Sequence, residues 1–441
     1  MSRAANFAKS LLHLKMPPLP KDHLTRTLLQ AADRGNFAAY QEAISPLSIH
    51  EKQVAVAKFD YYPLKAFAFR GNEEASLTLF YFLNDTSREQ IRYWLINELA
   101  KKGKFDAVYD MFFPFDNAKN AHIVEFENYR LLDHAASHNN EKAAEYYLKF
   151  LTGKQIKDAL SKNGYKVLTT FAKHDNFEAV SSMLEELSDK DSENAVKASK
   201  IIKIFAQNGN FDAVDDLLQY LSDADRVKAL LSDDYLIIKS CAEKLDIDAL
   251  TLLYLYLSEI QRENALLSGD SVTFDYFIEA GYFEECLKLL GYLSKEEQKN
   301  QLMKDNCYML RMMAKNDSYS EFFGAILILD LSEKVGIFEA KEYSIIRNFA
   351  VNNNYPALDR IFSMMGDNIN VSEILSAKNY AIIRNFALAE NTLAVSELIA
   401  KLKGIEKMAA SEILGQYDLP QITYPSEEVI LVGADAVADA A

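Results

Sequence analysis

The apolar positions of this chain follow a helical spacing inside blocks that recur about every 36 residues. In the block from Phe205 to Leu221, an apolar stripe ends at Phe205 and Ala206, a Gly-Asn pair follows, and apolar residues then return at every third or fourth position. This pattern predicts two helices joined by a tight turn. No alternating stretch of useful length indicates a strand. The sequence therefore predicts an all-α protein.

One alanine, replaced once by isoleucine, closes the first helix of each block, and we call this position the anchor. The anchors are Ala32, Ala68, Ala100, Ala136, Ala172, Ala206, Ala242, Ile278, Ala314, Ala350 and Ala387, spaced by 32 to 37 residues. Because the register is kept for so long, we expect about eleven helical repeats in one continuous solenoid rather than three separate domains. The predicted boundaries are an N-terminal capping or arm segment at 1–22, the solenoid at 23–414 and a tail at 415–441.

Polar residues after each anchor have the chemistry of a turn between helices. Three positions after the anchor, nine blocks carry Gly, Asn or Asp, which tolerate the left-handed backbone that ends a helix. Asn follows in seven blocks and suits the N-cap of the second helix. A tyrosine stands seven positions before the anchor in seven blocks, and we expect these rings in the core between repeats, each hydroxyl with a local partner. The tyrosines are Tyr61, Tyr93, Tyr129, Tyr165, Tyr235, Tyr343 and Tyr380.

The segment from Ala206 to Leu218, with its Ala-x-x-Gly-Asn-Phe-x-Ala-Val-x-x-Leu-Leu pattern, resembles the helix–turn–helix of ankyrin repeats. The resemblance covers about half of each block and implies a right-handed α-solenoid whose concave face binds a partner. No block has the Thr-Pro-Leu-His start, the period exceeds the ankyrin length of about 33 residues, and a short helix replaces the β-hairpin, so β-hairpin fingers are not expected. The array is more loosely similar to effector proteins of intracellular bacteria, which implies type IV secretion, a role in virulence and action in the host cytoplasm.

The composition narrows the class of protein. Hydrophobic residues make up 49% of the chain and charged residues 25%, which excludes a disordered protein. The net charge of −16 argues against a nucleic-acid partner. The charge is uneven, with a balance of +4 over residues 1–170 and −20 over residues 171–441. Three cysteines are too few for a disulfide framework and favour a reducing, cytoplasmic location.

A search for catalytic and metal-binding motifs predicts none. The chain has no phosphate-binding loop, dinucleotide fingerprint, Gly-x-Ser-x-Gly elbow or His-Glu-x-x-His motif. Cys241, Cys286 and Cys307 are isolated in helical segments, and we expect them to be core residues. His134 and His138 have a metal-like spacing, but the register of the blocks explains His138 as a surface residue at a helix end. We therefore expect no metal and no cofactor.

The positions two after the anchors, which we call the +2 row, carry the candidate binding residues. The row is basic in the first five blocks and uncharged in the last four. The ankyrin resemblance places the two residues before the turn on the concave face, so we expect the row and its neighbouring lysines to bind an acidic partner. The candidate residues are Arg34, Arg70, Lys101, Lys102, His138, Lys173, His174 and Lys244. The open alternative is that these cations complement the dipoles of the helix ends.

These observations favour a monomeric, non-catalytic scaffold for protein–protein interaction. The looser resemblance to bacterial effectors implies that its partner is a host protein with an acidic surface. Two alternatives stay open. The basic N-terminal repeats could bind anionic lipid or a membrane surface, or an enzyme site could be assembled across several repeats. The tail at 415–441 fits either a loosely docked terminus or a C-terminal export signal.

Overall fold

The computed structural model of this protein describes residues 22–112, 116–366 and 369–415. Within these ranges every regular element is helical, which confirms the predicted all-α class. The helices of the described ranges are all too short or too polar to cross a membrane. Apart from Asp22 and Gly415, the predicted N-terminal arm and C-terminal tail lie outside the described residues.

The chain divides into two compact units, Met1–Leu230 and Leu231–Ala441, which we call unit 1 and unit 2. The helices of unit 1 are α1 (His23–Arg34), α2 (Phe37–Ile44), α3 (Ile49–Phe69), α4 (Glu73–Phe82), α5 (Asp85–Lys101), α6 (Phe105–Phe112), α7 (Asn117–Ser137), α8 (Glu141–Leu148), α9 (Gly153–Ser161), α10 (Lys166–Lys173), α11 (Phe177–Glu185), α12 (Asp189–Ser199), α13 (Ile201–Asn208) and α14 (Phe211–Gln219). The division falls within α15 (Asp223–Glu243). The further helices of unit 2 are α16 (Ile247–Tyr254), α17 (Glu259–Ala280), α18 (Phe283–Leu290), α19 (Lys295–Lys315), α20 (Tyr319–Ile326), α21 (Leu331–Val351), α22 (Tyr355–Met365), α23 (Val371–Leu388), α24 (Thr392–Ala400) and α25 (Gly404–Leu414).

The anchors lie in the last turn of a first helix, and a second helix begins five residues after each of them. All eleven anchor side chains are buried. The turn residue three after the anchor has a positive φ, for example 68° at Gly35 and 50° at Asn139. The Asn that follows caps the second helix, as when Asn210 Oδ1 accepts the backbone N–H of Ala213 at 3.1 Å. The helix–turn–helix pattern read from the sequence is therefore confirmed at these positions.

A connection whose conformation the sequence did not predict lies within seven of the long first helices and between α9 and α10. One residue with extended backbone is followed by three residues in the left-handed region, with φ between 47° and 71°. We call this four-residue segment a left-handed link. The links are Lys58–Tyr61, Phe126–Tyr129, Lys162–Tyr165, Ser232–Tyr235, Ser268–Ser271, Lys304–Cys307, Ala340–Tyr343 and Ala377–Tyr380.

The links explain the two short spacings between anchors, 32 and 34 residues. In a block with the common 36-residue spacing, α21 has 21 residues including its link. Ala68 and Ala100 are only 32 residues apart, and the helix between them, α5, has 17 residues and runs without interruption. In the block with a 34-residue spacing, the single left-handed residue Lys200 separates α12 from α13. The four residues missing before Ala100 are thus equivalent to one link.

Basic side chains donate hydrogen bonds to the left-handed links and stabilise them. Each non-glycine residue in the left-handed region costs roughly 1–2 kcal/mol, so three in succession need compensating contacts. Lys65 Nζ donates to Asp60 Oδ2 at 2.5 Å, and Arg311 Nε donates to the carbonyl of Asn306 at 2.9 Å. The same position, three before the anchor, donates to the link of its own block at Lys239, Arg347 and Arg384.

The tyrosines seven positions before the anchors are not core residues, so their predicted place in the core was wrong, whereas the predicted hydroxyl partners are present for Tyr61 and Tyr343. All seven are half-buried. Six of them form the last residue of a left-handed link, whereas Tyr93 lies inside the uninterrupted α5. The Tyr61 hydroxyl donates to Gln90 Oε1 at 2.6 Å, and the Tyr343 hydroxyl donates to Glu373 Oε1 at 3.1 Å. The recurring tyrosine therefore marks the connection between helices rather than the core.

Candidate interaction surface

The eight candidate binding residues are all exposed and all lie at the ends of first helices. Arg34, Lys101 and Lys173 are the last residues of α1, α5 and α10. Arg70, Lys102, His138 and His174 are the C-caps of α3, α5, α7 and α10. These seven belong to unit 1, and Lys244 follows α15 in unit 2.

Several side chains of the +2 row donate hydrogen bonds to the preceding block. The donor and acceptor pairs are Arg70 with the carbonyl of Asp33, His138 Nε2 with that of Lys101 (2.9 Å), Asn208 with that of Ala172 (3.0 Å) and Asn352 with that of Ala314 (2.9 Å). The accepting carbonyls belong to the last turn of a helix, where intrahelical N–H partners run out, and those of Ala172 and Ala314 also accept the backbone N–H of the turn residues Asp175 and Asp317. A donor at the +2 position therefore caps the first helix of the preceding block.

This capping explains why the later blocks lose the charge of the row. Complementing a helix dipole needs a cation, whereas capping a carbonyl needs only an N–H donor. Nine of the eleven +2 residues carry a side-chain N–H donor, and only Ala280 and Ala389 do not. The feature that recurs along the row is a side chain with an N–H donor, which caps the preceding block at four of these positions. The positive charge of Arg34, Arg70 and Lys102 is an additional feature of unit 1.

Glycine at the turn makes room for the long basic side chains. A Cβ on Gly35 would lie 2.9 Å from Arg70 Cδ, and one on Gly103 would lie 3.1 Å from the imidazole Nδ1 of His138. Both glycines also have a positive φ, which a side chain would strain. A side chain at the turn of one block would therefore clash with the basic +2 residue of the next block.

The N-cap asparagines connect neighbouring turns by a second set of hydrogen bonds. All seven use Oδ1 to cap their own second helix, and four also use Nδ2 to reach the turn residue of the preceding block. The Nδ2 contacts are Asn176 with Asn139 (2.9 Å), Asn210 with Asp175 (3.0 Å), Asn354 with Asp317 (2.6 Å) and Asn391 with Asn353 (2.8 Å), each to a side-chain oxygen. Asp and Ser are equally good N-caps, but a carboxylate cannot donate and a hydroxyl has one proton to give. The double role therefore favours asparagine.

We expect Asn354→Asp to lower the stability of unit 2 by about 1–2 kcal/mol, because it removes the Nδ2 donor and sets a carboxylate against Asp317. The matched control is Asn72→Asp, since the preceding turn residue is Gly35 and offers no side-chain acceptor. Asp caps a helix as well as Asn does, so the control should leave stability within about 0.5 kcal/mol. Urea unfolding followed by circular dichroism measures both, and equal losses would disprove the second role of Asn354.

Positive charge remains exposed along unit 1 after these contacts are made. Lys101 pairs with Glu98 at 3.8 Å, and Lys102 Nζ lies 4.8 Å from the centre of the Phe69 ring. Both lysines stay exposed despite these contacts. In the part of the chain that the structure describes, the side chains of Arg34, Lys173 and His174 form no hydrogen bond or ion pair. These are the cations that a partner could contact.

His134 in α7 and His138 at the C-cap of α7 have different surroundings. His138 is exposed and donates to the preceding block, whereas His134 is half-buried. Burial, followed by the charge of Arg130, lowers the pKa of His134 to about 4. Over the described ranges, no group of three or more His, Cys, Asp and Glu residues is arranged to hold a metal ion.

His134 should make unit 1 sensitive to acid. Because its pKa is about 4 in the folded state and about 6.5 in an unfolded chain, the neutral imidazole stabilises the fold above pH 6.5. That contribution is lost as the pH falls from 6.5 towards 4, by roughly 1–2 kcal/mol after allowing for solvent screening. We expect His134→Gln to reduce the drop in the urea midpoint between pH 7 and pH 4.5. An unchanged drop would show that folding does not lower the pKa of His134.

The three cysteines are buried, as expected for core residues. Burial raises the pKa of each thiol, to about 11 at Cys307 and higher at Cys241 and Cys286. These side chains are therefore protonated and unreactive at neutral pH.

Comparison with known proteins adds no family to this description. No protein-family model matches the chain, and no curated protein matches it.

Proposed function

We propose that this chain is a right-handed α-solenoid of about eleven ankyrin-like helical repeats, and that it acts as a non-catalytic scaffold for protein–protein interaction. Contacts within blocks and between neighbouring blocks support the repeat. A second helix begins five residues after every anchor, and hydrogen bonds at the +2 and N-cap positions join consecutive turns. Such contacts between nearest neighbours are what stabilise a repeat array.

The partner that the scaffold fits is a protein with an acidic surface. The observation that carries this part of the proposal is the set of exposed basic side chains one or two positions after the anchors of unit 1, namely Arg34, Lys101, Lys102, Lys173 and His174. Capping of the preceding helix accounts for a donor at these positions but not for a charge, since Asn208 and Asn352 cap with neutral amides. The looser resemblance to bacterial effectors makes a host protein the expected source of that surface.

The test is a triple variant, Arg34→Glu, Lys102→Glu and Lys173→Glu, which we call the row variant. It reverses two charges of the +2 row and that of the neighbouring Lys173 without touching the capping donors Arg70 and His138. The matched control reverses three exposed lysines away from the row, Lys149, Lys154 and Lys190, and changes the net charge by the same amount. We expect the wild type and the control to capture the same protein from a eukaryotic lysate, and the row variant to lose it. Retention by all three would contradict the proposal.

The same variants separate a protein partner from a lipid surface. Vesicles of phosphatidylcholine with and without phosphatidylserine would be mixed with each protein and sedimented. We expect no difference between the two vesicle types. Sedimentation that requires phosphatidylserine, falls steeply with salt and is lost in the row variant would replace the protein partner by an anionic membrane surface.

A further inference from the structure

Two open clefts lie at equivalent positions of different blocks, one in each unit. The first has a volume of about 530 Å³ and lies between the links Phe126–Tyr129 and Lys162–Tyr165. The second has a volume of about 480 Å³ and lies between the links Ala340–Tyr343 and Ala377–Tyr380. Counted from their anchors, the seven lining residues occupy the same positions in both clefts. The clefts are thus a product of two consecutive left-handed links.

A tyrosine between two carboxyl groups defines each cleft. In the first cleft, burial and then the charges of Glu125 and Asp158 raise the pKa of Tyr129. In the second, Tyr343 donates to Glu373 Oε1 at 3.1 Å. Burial, that hydrogen bond and the charges of Glu373 and Glu339 raise the pKa of Tyr343. Both phenols therefore keep their proton, so that each cleft combines a neutral aromatic ring with carboxylates.

The charge of both clefts is negative. In the first, Glu125 and Asp158 face one cation, Lys162. In the second, the three carboxyl groups of Glu339, Glu342 and Glu373 face two cations, because Glu342 forms an ion pair with Lys378 and lies 3.9 Å from Arg347. A cation is therefore the complementary ligand. The described residues form no group suited to a metal ion, which leaves an organic cation.

We infer that each cleft binds the guanidinium group of an arginine side chain supplied by a partner protein. A guanidinium is planar, carries five N–H donors, pairs with carboxylates through two bonds at once and stacks on aromatic rings. A tyrosine beside two carboxylates matches all of these properties. This surface differs from the exposed cations of unit 1 in charge and in position, so it recognises a basic segment of a partner rather than an acidic one.

The two clefts also require repeats with a particular sequence, because a tyrosine in one link must be followed by an acidic residue fourteen positions before the next anchor. Asp158 and Glu373 meet this condition. The link Ser232–Tyr235 has the tyrosine, but the corresponding residue of the next block is Asn264, and the neighbouring positions are Leu231 and Leu267. That pair of links provides a natural comparison within unit 2.

The experiment uses the full chain with ¹³C-labelled tyrosine rings and titrates it with N-acetyl-arginine methylamide. Its neutral counterpart, N-acetyl-citrulline methylamide, is the control ligand, and Tyr129→Phe and Tyr343→Phe assign the two signals. We expect both signals to shift at millimolar arginine and to be unaffected by citrulline. The double variant Glu125→Gln and Asp158→Asn should weaken the Tyr129 response at least tenfold and leave the Tyr343 response as an internal control.

Three results would overturn the inference. The first is equal shifts with arginine and citrulline, which would remove the role of charge. The second is a Tyr129 response that is unchanged in the double variant. The third is a response at one tyrosine alone, or at neither, because the shared lining would then not define a site.

Discussion

Phe205→Ala should lower the stability of unit 1 by about 3–5 kcal/mol, which is the usual cost of truncating a fully buried phenylalanine. Phe205 precedes the anchor Ala206 on α13, and both side chains have no exposed surface. The ring contacts that of Phe177 in an edge-to-face arrangement with 5.8 Å between the centroids. Removing it leaves a cavity between the first and second helices of consecutive blocks. Guanidinium unfolding followed by circular dichroism would measure the loss.

The control for this prediction is Phe69→Ala, which deletes the same side chain one position after an anchor of unit 1. Phe69 is 45% exposed and lies on the surface beside Lys102. We expect its loss to cost about 1 kcal/mol or less. Equal destabilisation by the two variants would mean that the anchor stripe does not form the core of unit 1.

Deleting the link Ala340–Tyr343 should leave unit 2 folded, whereas a four-residue deletion a few positions further along α21 should not. Without its link, α21 would have the 17 residues of α5, which connects two blocks as a single uninterrupted helix. The deletion also removes three left-handed residues, which cost roughly 1–2 kcal/mol each, together with the exposed contact from Tyr343 to Glu373. We expect a cooperative unfolding transition that differs from the wild type by about 2 kcal/mol or less.

The matched deletion removes residues 346–349 and with them Ile346 and Phe349, neither of which is exposed. Two large core side chains together contribute on the order of 5–10 kcal/mol, comparable to the whole stability of a domain. We expect this variant to lose the cooperative transition of unit 2. The same loss after the link deletion would show that a link cannot be exchanged for a continuous helix.

The features of the fold that could be predicted depend on residues a few positions apart. Ala206, the Gly-Asn turn and the apolar positions up to Leu218 act within one helix pair, so their spacing was enough to predict the helices and the turn. The left-handed links could not be predicted in this way. A segment such as Lys341-Glu342-Tyr343 has no glycine, and single residues of these types rarely adopt a positive φ. It is held by Arg347 and by the helices on either side, which the local pattern does not reveal.

The candidate surface was predicted from charge, which indicated the exposed side chains but not their hydrogen bonds to the preceding block. Exposure of Arg34 and Lys173 followed from their place at a helix end. The common role of four +2 residues, which is to cap the preceding helix, is visible only in the structure. Each donates to a carbonyl 36 to 38 positions earlier, and the four are Arg70, His138, Asn208 and Asn352. The anchor spacing of 32, with no link before Ala100, was a signal in the sequence that could have revealed the links.

The most direct test of the central claim is the affinity of the captured partner for the wild type, the row variant and the control variant, measured by isothermal titration at 150 mM salt. Reversing three desolvated cations at one interface should weaken binding at least 100-fold, since each charged contact is worth about 1.5–3 kcal/mol. The control should stay within threefold of the wild type. Equal affinities of the row and control variants would contradict recognition through Arg34, Lys102 and Lys173.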